Sequence, residues 1–491
     1  MEVSWWMIGA FGLTLGLCCW GSGTASHYLA QDPQSESTSS LTHPLLLLRE
    51  VAPVTNCIYE LLPARAIARA KELDEYFAEH GKPLGPVHGL PISIKAHIGP
   101  EGRENPVGFV GWVGRKNVED ANVVKIHLEA GAVVYARTTE AQGPMALETH
   151  SNLFGTTTNP HNTATSAGGS SGEELALLAL RGSPLGIGIR GPAANCGLYG
   201  LKPSTDRLPI IGLSAYVLGC GTILGTIGPM SSTLGGLEIF MKTVLRSKPW
   251  LSDPLLHPIP WRDDEPHIHQ DGKKLTVGVM WTDGVVNPVP AVTRALREVE
   301  EALEILTKIY APHGGDAFKR HLGSSGEPYN SLTAWTTRDA PGVEKLSFQG
   351  VWDWKFKCDV FRYRYMQGIS ITLSPQRWTS FSAPCTQRLP PYMKHLNTGD
   401  WGYTSLWNLL DYSAVSFPVT KIDPGENAKD TLYTPRNEFD SWVQEHYDPK
   451  KQRDIPVCLQ LVAKRLEEEK LFQALREIKD SVGVPFKDCL A

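Results

Sequence analysis

The feature that most restricts the fold of this chain is an alternation of short apolar runs with amphipathic segments. The run LPISI (90–94) is followed by VVKIHLEAG (123–131), which has helical character, and then by AVVYART (132–138), a second apolar run. A strand–helix–strand alternation of this kind implies an α/β sheet. The sequence therefore predicts an α/β fold.

The same alternation continues toward the carboxyl terminus. Strands are predicted for KLTVGVMW (274–281) and PVCLQLVA (456–463), and helices for AVTRALREVEEALEILTKIY (291–310) and LEEEKLFQALREI (466–478). A further helix is predicted between Pro63, which suits a first helical turn, and Gly81, which suits a helix end. No internal repeat and no second domain boundary is visible.

The amino terminus differs in composition from the rest of the chain. Residues 5–20 are uncharged and apolar, too short a run for a membrane span but similar to a signal-peptide core. Against a secreted protein, no Lys or Arg precedes the run and the chain has no Asn-x-Ser/Thr sequon. We predict an apolar segment at 1–26, a polar linker at 27–49 and one domain at 50–491. Localisation stays open between a cytoplasmic protein and one with a secretory signal or membrane anchor.

Charge and cysteine usage exclude several classes of function. The net charge is −5 and no long basic run occurs, so a nucleic-acid partner is not expected. The nine cysteines are scattered, odd in number and without a Cys-x-x-Cys pair, which argues against a disulfide framework or a zinc site. The HIH sequence (267–269) lies in a polar stretch without further ligands. We therefore predict no metal.

A glycine- and serine-rich stretch, GGSSGEELALLAL (168–180), permits two interpretations. Ser170 and Ser171 stand three residues before Glu173 and Glu174, as in a capping box, where a serine oxygen caps a helix and a glutamate reaches back. The apolar residues that follow predict a helix buried on nearly all sides. In this interpretation Ser170 is only a helix cap. The other interpretation gives it a chemical role.

A second glycine cluster lies close by. Residues Gly186 to Gly191 match G-x-G-x-x-G, the pattern of a dinucleotide-binding loop. That pattern should follow a strand and open a helix, whereas here Pro192 comes next and further glycines follow. A dinucleotide-dependent oxidoreductase is thus the weaker alternative, and no cofactor is predicted.

The stretch from Gly168 to Pro203 resembles the amidase signature, whose usual form is close to GGSSGGE…GSPLGIG(S/T)DIGGSIR.PA..CG.YGLKP. Other blocks resemble the same family in the same order: GPVHGLPISIKAHIG (85–99), AGAVVYARTTEAQ (130–142), SNLFGTTTNPHN (151–162) and DWGYTSLWNLLDYSAVSFPVTKIDP (400–424). The overall pattern is similar to that of the fungal acetamidase-like amidases. The resemblance implies one large domain with a central mixed sheet surrounded by helices. It also implies hydrolysis of a carboxylic amide C–N bond, a small-molecule amide substrate and no cofactor.

The resemblance also implies roles for individual residues. Lys95 corresponds to the general base, and Ser170 to a serine beside a cis peptide that relays the proton and contacts substrate. Gly188 corresponds, more weakly, to a second substrate contact. A lysine acts as a base only when it is neutral, which burial favours. Because Lys95 ends the apolar run LPISI, the sequence predicts a buried amine.

Two departures from the family pattern bear on activity. Glu173 replaces the usual glycine and would be strained if that position requires positive φ. The chain also passes directly from Gly188 to Ile189, where the family has about six more residues that end in the nucleophilic serine. The nucleophile is therefore missing between Gly188 and Ile189. Ser171 and Ser183 are the substitutes that we considered, and an inactive, amide-binding protein is the alternative to a working amidase.

Overall fold

The computed structural model describes most of the chain between Val54 and Val482. The described residues are 54–263, 277–279, 304–372, 380–384 and 402–482, without 145, 181–182, 184, 189–190, 215–220, 306, 341, 426–427, 429–433, 436–440, 442–444 and 446. The predicted segments 1–26 and 27–49 and the HIH sequence (267–269) lie outside them. The domain boundary near residue 50 therefore stays a prediction.

Strands and helices alternate along the described residues. The strands are β1 (Ile58–Leu61), β2 (Pro91–Lys95), β3 (Val133–Thr138), β4 (His150–Ser151), β5 (Gly155–Thr156), β6 (Thr158–Asn159), β7 (Asn162–Ser166), β8 (Leu185–Gly188), β9 (Tyr199–Lys202), β10 (Gly228–Ser231), β11 (Val277–Val279), β12 (Ser380–Pro384), β13 (Ser413–Lys421) and β14 (Pro456–Ala463). The α-helices are α1 (Pro63–His80), α2 (Asn122–Glu129), α3 (Gly172–Ala179), α4 (Gly191–Asn195), α5 (Leu234–Arg246), α6 (Asp316–Gly323), α7 (Ser331–Ala334), α8 (Phe348–Thr372), α9 (Gly402–Leu410) and α10 (Glu468–Val482). Short 3₁₀ turns lie at Val110–Trp112 and Pro249–Leu251, and a π-helical turn at Trp335–Asp339.

One mixed sheet organises the molecule. Ten of the described strands form it in the order β1-β3-β2-β8-β10-β9-β13-β14-β12-β11. Strand β2 lies between β3 and β8 and runs parallel to both, whereas the strands from β8 through β10, β9 and β13 to β14 pair antiparallel. The predicted α/β architecture, a central mixed sheet with helices around it, is confirmed.

The sheet separates two apolar clusters, as strand periodicity requires. Ile92 and Ile94 of β2 pack in one cluster with residues of α2 and α5. Tyr135 of β3 packs in the other with residues of α1 and α3, while its neighbour Val134 joins the first cluster. Helix α3 is buried along its whole length, as its sequence predicts. The helix packs against β2, β3 and β8.

Most of the helices and strands predicted from local pattern are confirmed. Helix α1 ends at His80 and is capped by Gly81, whose φ of 65° is left-handed and whose N–H donates to the carbonyl of Phe77. Strand β14 has the predicted bounds. Of the helix predicted at 291–310, residues 304–305 and 307–310 are described and helical. Strand β12 had not been predicted, since Ser380–Pro384 lacks a clear strand pattern.

Candidate active site

Lys95 is the last residue of β2, and the alternation of the strand decides where its side chain lies. Ile92 and Ile94 face one apolar cluster, so Ser93 and Lys95 project from the opposite face of the strand, toward α3. Only 1% of the Lys95 side chain is exposed. The buried amine predicted from the sequence is confirmed.

The loop before α3 brings two serines to this amine. Lys95 Nζ lies 3.3 Å from Ser170 Oγ and 3.3 Å from Ser171 Oγ, and it also contacts the main-chain carbonyl oxygen of Ser170. The peptide bond between Gly169 and Ser170 is cis. The structure thus brings together the two residues that the sequence singled out, Lys95 and Ser170. Their catalytic roles remain a prediction.

Glycine is required at two positions of this loop. Gly168 has a φ of 82°, which is left-handed. A side chain on Gly169 would place its Cβ 2.3 Å from the main-chain nitrogen of Glu148. The loop can therefore press against a neighbouring backbone segment, which positions Ser170 beneath the amine.

The capping-box interpretation of these serines is wrong. Ser171 is the N-cap residue of α3, but its side chain accepts no capping hydrogen bond. Thr149 takes that part instead, since its Oγ1 accepts a hydrogen bond of 2.9 Å from the N–H of Gly172. Because a residue distant in sequence caps the helix, both serine hydroxyls are left to face Lys95.

Glu173 is the acidic neighbour of the amine. Its Oε1 lies 3.4 Å from Lys95 Nζ, and its Oε2 accepts a hydrogen bond of 2.8 Å from Thr149 Oγ1. Burial raises the pKa of Glu173 to about 7, although Lys95 acts in the opposite direction. Glu173 lies in the first turn of α3 with negative φ, so the backbone strain considered from the sequence does not occur.

Glu174 lies one residue further on and has different partners. It accepts hydrogen bonds from the hydroxyls of Ser93 and Thr138, the latter at 2.8 Å. Burial raises its pKa to about 8. Both glutamates therefore point into the sheet rather than back along their own helix. Sequence reasoning missed these contacts, although a signal existed: PISIK places Ser93 and Lys95 on one buried face that needs polar partners.

His97, two residues after Lys95, forms a second acid–base pair with Glu140. His97 Nδ1 lies 3.1 Å from Glu140 Oε2, and Glu140 is fully buried. Burial lowers the pKa of His97 even though Glu140 acts to raise it. Sequence reasoning missed this pair as well, because its members are 43 residues apart.

Ser183 and Gly186 have structural roles. Ser183 Oγ donates to the carbonyl of Leu185 at 2.8 Å and accepts from the N–H of Ser93 at 3.2 Å, so it ties two strands together. Gly186 lies inside β8, where an added Cβ would meet Glu174 Oε1 at 2.4 Å. The first glycine of the G-x-G-x-x-G match is thus packed inside the sheet against Glu174, although the match ends where α4 begins, at Gly191.

The segment that should carry the nucleophile follows β8. Gly188 ends that strand, paired with Gly228 of β10, and Gly191 begins α4. Ile189 and Arg190 between them lie outside the described residues. The missing nucleophile and the weaker substrate contact at Gly188 therefore remain predictions from the sequence. As printed, the sequence has no serine, threonine or cysteine between Gly188 and Gly191.

The described residues offer neither a metal-binding cluster nor a membrane-spanning helix. Among them, no three His, Cys, Asp or Glu side chains lie close enough to bind a metal ion together. Nor is any helix in that part of the chain both long and apolar enough to cross a membrane.

Comparison with known proteins gives a consistent result. The model of the amidase family matches residues 45–308. An acetamidase of Aspergillus oryzae is 33% identical, over 85% of this chain and 81% of its own length, and an acetamidase of Emericella nidulans is 32% identical over 88% and 83%. Among solved structures, a fatty acid amide hydrolase superimposes with a TM-score of 0.84 and 30% identity, covering 94% of this chain and 86% of that one.

Proposed function

This chain belongs to the amidase family, and we propose that its site is built to hydrolyse a carboxylic amide C–N bond with Lys95 as general base and Ser170 as relay serine. The observation that carries the proposal is the distance of 3.3 Å between Lys95 Nζ and Ser170 Oγ in a buried setting. A base must lie within hydrogen-bond reach of the proton that it removes, and this pair is close to that limit. Ser170 is half-buried, so it stands between the amine and the space in which substrate would lie.

We further propose that the chain, as its sequence stands, holds an amide without completing turnover. Acyl transfer needs a nucleophile and donors for the oxyanion as well as a base. In the family pattern the first two come from the segment missing between Gly188 and Ile189. Ser183 cannot replace the nucleophile, since its hydroxyl is bonded to main-chain groups of β2 and β8.

A small carboxylic amide is the substrate class that fits this proposal. Two relatives that match most of the chain are named acetamidases. Use of amides as a nitrogen source and a role in secondary metabolism are both compatible with such a site.

Restoring the segment tests the proposal. A serine-directed fluorophosphonate should not label the unaltered chain, because it lacks the nucleophile; in serine proteases loss of the nucleophile alone costs about 10⁶-fold in rate, and loss of an oxyanion donor about 10²–10³-fold. Insertion of Thr-Asp-Ile-Gly-Gly-Ser between Gly188 and Ile189 should restore labelling at the inserted serine and hydrolysis of acetamide. The matched control ends the insertion in Ala and should not be labelled.

Two outcomes would contradict the proposal. Labelling of the unaltered chain at Ser171, with acetamide turnover that Lys95→Ala abolishes, would show that a substitute nucleophile is at work. Ser171 is the substitute that this test addresses, because its hydroxyl lies 3.3 Å from Lys95 Nζ. Conversely, a restored chain that is labelled equally well with Lys95→Ala would remove Lys95 from the role of base.

A further inference from the structure

Four oxygen atoms surround the amine of Lys95. Three belong to the serines, namely Ser170 O, Ser170 Oγ and Ser171 Oγ, and the fourth is Glu173 Oε1 at 3.4 Å. A protonated lysine has three N–H donors, whereas the neutral amine has two and one lone pair. The surroundings of Nζ therefore determine which of these two forms is the more stable.

Only one of the four oxygens distinguishes strongly between the two forms. A hydroxyl can donate to the neutral amine or accept from the ammonium, so Ser170 Oγ and Ser171 Oγ suit both. The carbonyl of Ser170 accepts an N–H from either. A carboxylate, by contrast, attracts the positive form, and the attraction is strong where water is excluded. Lys95 and Glu173 are exposed by only 1% and 0%.

The two carboxyl oxygens of Glu173 have few other partners. Its Oε1 accepts no hydrogen bond from the described residues, so Lys95 Nζ is its charge partner there. Its Oε2 is held by the hydroxyl of Thr149. The carboxyl group is thus anchored at one oxygen while the other faces the amine.

We propose that Glu173 controls the proton on Lys95: as a carboxylate it holds the side chain as an ammonium, which cannot accept the proton of Ser170. The inference rests on the proposed role of Lys95 as a base. In the pair, the proton can move from Nζ to Oε1, which converts ammonium and carboxylate into amine and carboxylic acid with no other reactant. Glu173 therefore acts through Lys95 and is a positioning residue for the relay.

Other ionisable groups act on the same carboxyl group. They are Lys95 from β2, Glu140 after β3, Glu174 on the same helix, Cys57 before β1 and Cys196 after α4. Of these, only Lys95 is cationic. Since burial raises the pKa of Glu173 to about 7, both of its forms are accessible near neutral pH.

Trace acetylation with acetic anhydride tests the proposal on the full chain, because the reagent reacts with a lysine side chain only when its amine is neutral. The extent of acetylation at Lys95 is measured by peptide mass spectrometry from pH 6 to about 11.5, above the ordinary lysine pKa of about 10.4, and normalised to its own plateau, which removes differences in access. Glu173→Gln should raise the labelled fraction at pH 7.5 about tenfold or more. A tenfold change corresponds to a shift of one unit in the profile.

The chain offers a matched control for this experiment. Glu174→Gln removes an equally buried carboxyl group that bonds to Ser93 and Thr138 and acts on Lys95 only as a weaker, longer-range charge, so it should change the labelling of Lys95 much less than Glu173→Gln does. Lys202, which pairs with Asp411 elsewhere in the fold, serves as an internal reference and should not change in either variant. A structural effect of removing any buried glutamate would appear in both variants.

A profile of Lys95 in Glu173→Gln that superimposes on that of the unaltered chain would overturn the proposal. If Glu173→Gln does not fold, Glu173→Gly provides the same comparison. Because labelling reports on Lys95 itself, its result is separate from the serine labelling that tests the proposed hydrolysis.

Discussion

This protein has two buried clusters in which basic side chains lie beside carboxyl groups. The two clusters differ in how many hydrogen-bond and charge partners each carboxyl group has. The first is the Lys95–Glu173 pair over β2. The second, here called the Arg207 cluster, comprises Arg207, Glu468, Glu469, Ser204 and Ser413. Both Glu173 and Glu468 have no exposed surface. Burial alone therefore does not explain the difference between them.

The partners of each carboxyl group explain the difference between Glu468 and Glu173. Burial would raise the pKa of Glu468, but the guanidinium of Arg207 and hydrogen bonds from Ser204 and Ser413 outweigh it, so that the pKa is lowered. Glu173 has the Lys95 amine at 3.4 Å, the hydroxyl of Thr149 and its own backbone N–H; burial outweighs these, and its pKa is raised to about 7. Glu468 is thus held in its charged form, whereas Glu173 can change its protonation near neutral pH.

Breaking the Arg207 cluster should give the largest effect. Arg207→Met leaves Glu468 and Glu469 buried with much of their positive charge gone, and we expect a loss of about 3–5 kcal/mol in the free energy of unfolding. Urea unfolding at pH 7 measures it. Lys345→Met, which breaks an exposed pair with Asp316, should leave the midpoint nearly unchanged. Similar losses in the two variants would refute the distinction between paired and exposed charges.

The pH dependence of stability should separate the two clusters more finely. The folded-state pKa values of Glu173 and Glu174, about 7 and about 8, lie above the ordinary value of 4.5. The folded chain therefore binds more protons in this range, and their contribution to stability is full below about pH 4.5 and is lost as the pH rises through 7 to 8.

A difference between variants isolates this contribution from that of the histidines. We expect the free energy of unfolding of the unaltered chain to fall between pH 5 and pH 8 by clearly more than that of the double variant Glu173→Gln/Glu174→Gln. Glu468 should behave in the opposite way, since its lowered pKa supplies stability that is lost only in acid. Equal slopes in the unaltered chain and the double variant would contradict the raised pKa values.

The smallest losses in the free energy of unfolding are expected when a single threonine hydroxyl is removed beside Glu173 or near the Arg207 cluster. Thr149→Val removes the partner of the Gly172 N–H and of Glu173 and should cost about 1–3 kcal/mol. Thr205→Val near the Arg207 cluster should cost about 0.5–1 kcal/mol, because Asp411 keeps the N–H of residue 205, Lys202 and Arg465. Thermal or urea unfolding of both variants ranks them, and a larger loss for Thr205→Val would reverse the comparison.

Local pattern was sufficient for much of the fold. Apolar runs of five to eight residues predicted β2, β3 and β14, and Pro63 and Gly81 marked the bounds of α1. These features depend on side-chain periodicity and backbone preference, which neighbouring residues determine. Strand β12 was missed because pairing with β11 and β14, rather than its own sequence, selects the extended form.

For the candidate site, too, some features could be predicted from the sequence and others depended on the tertiary structure. The sequence alone determined which residues to examine, Lys95 and Ser170, through the blocks that flank them, and it showed that no serine stands between Gly188 and Gly191. Only the tertiary structure decided that Ser171 does not cap α3, that Thr149 does, and that Glu173 faces the amine. The physical reason is that a buried polar group must find partners wherever the packed sheet and helix bring them, and Lys95 and Glu173 are 78 positions apart in a chain whose local pattern cannot specify that contact.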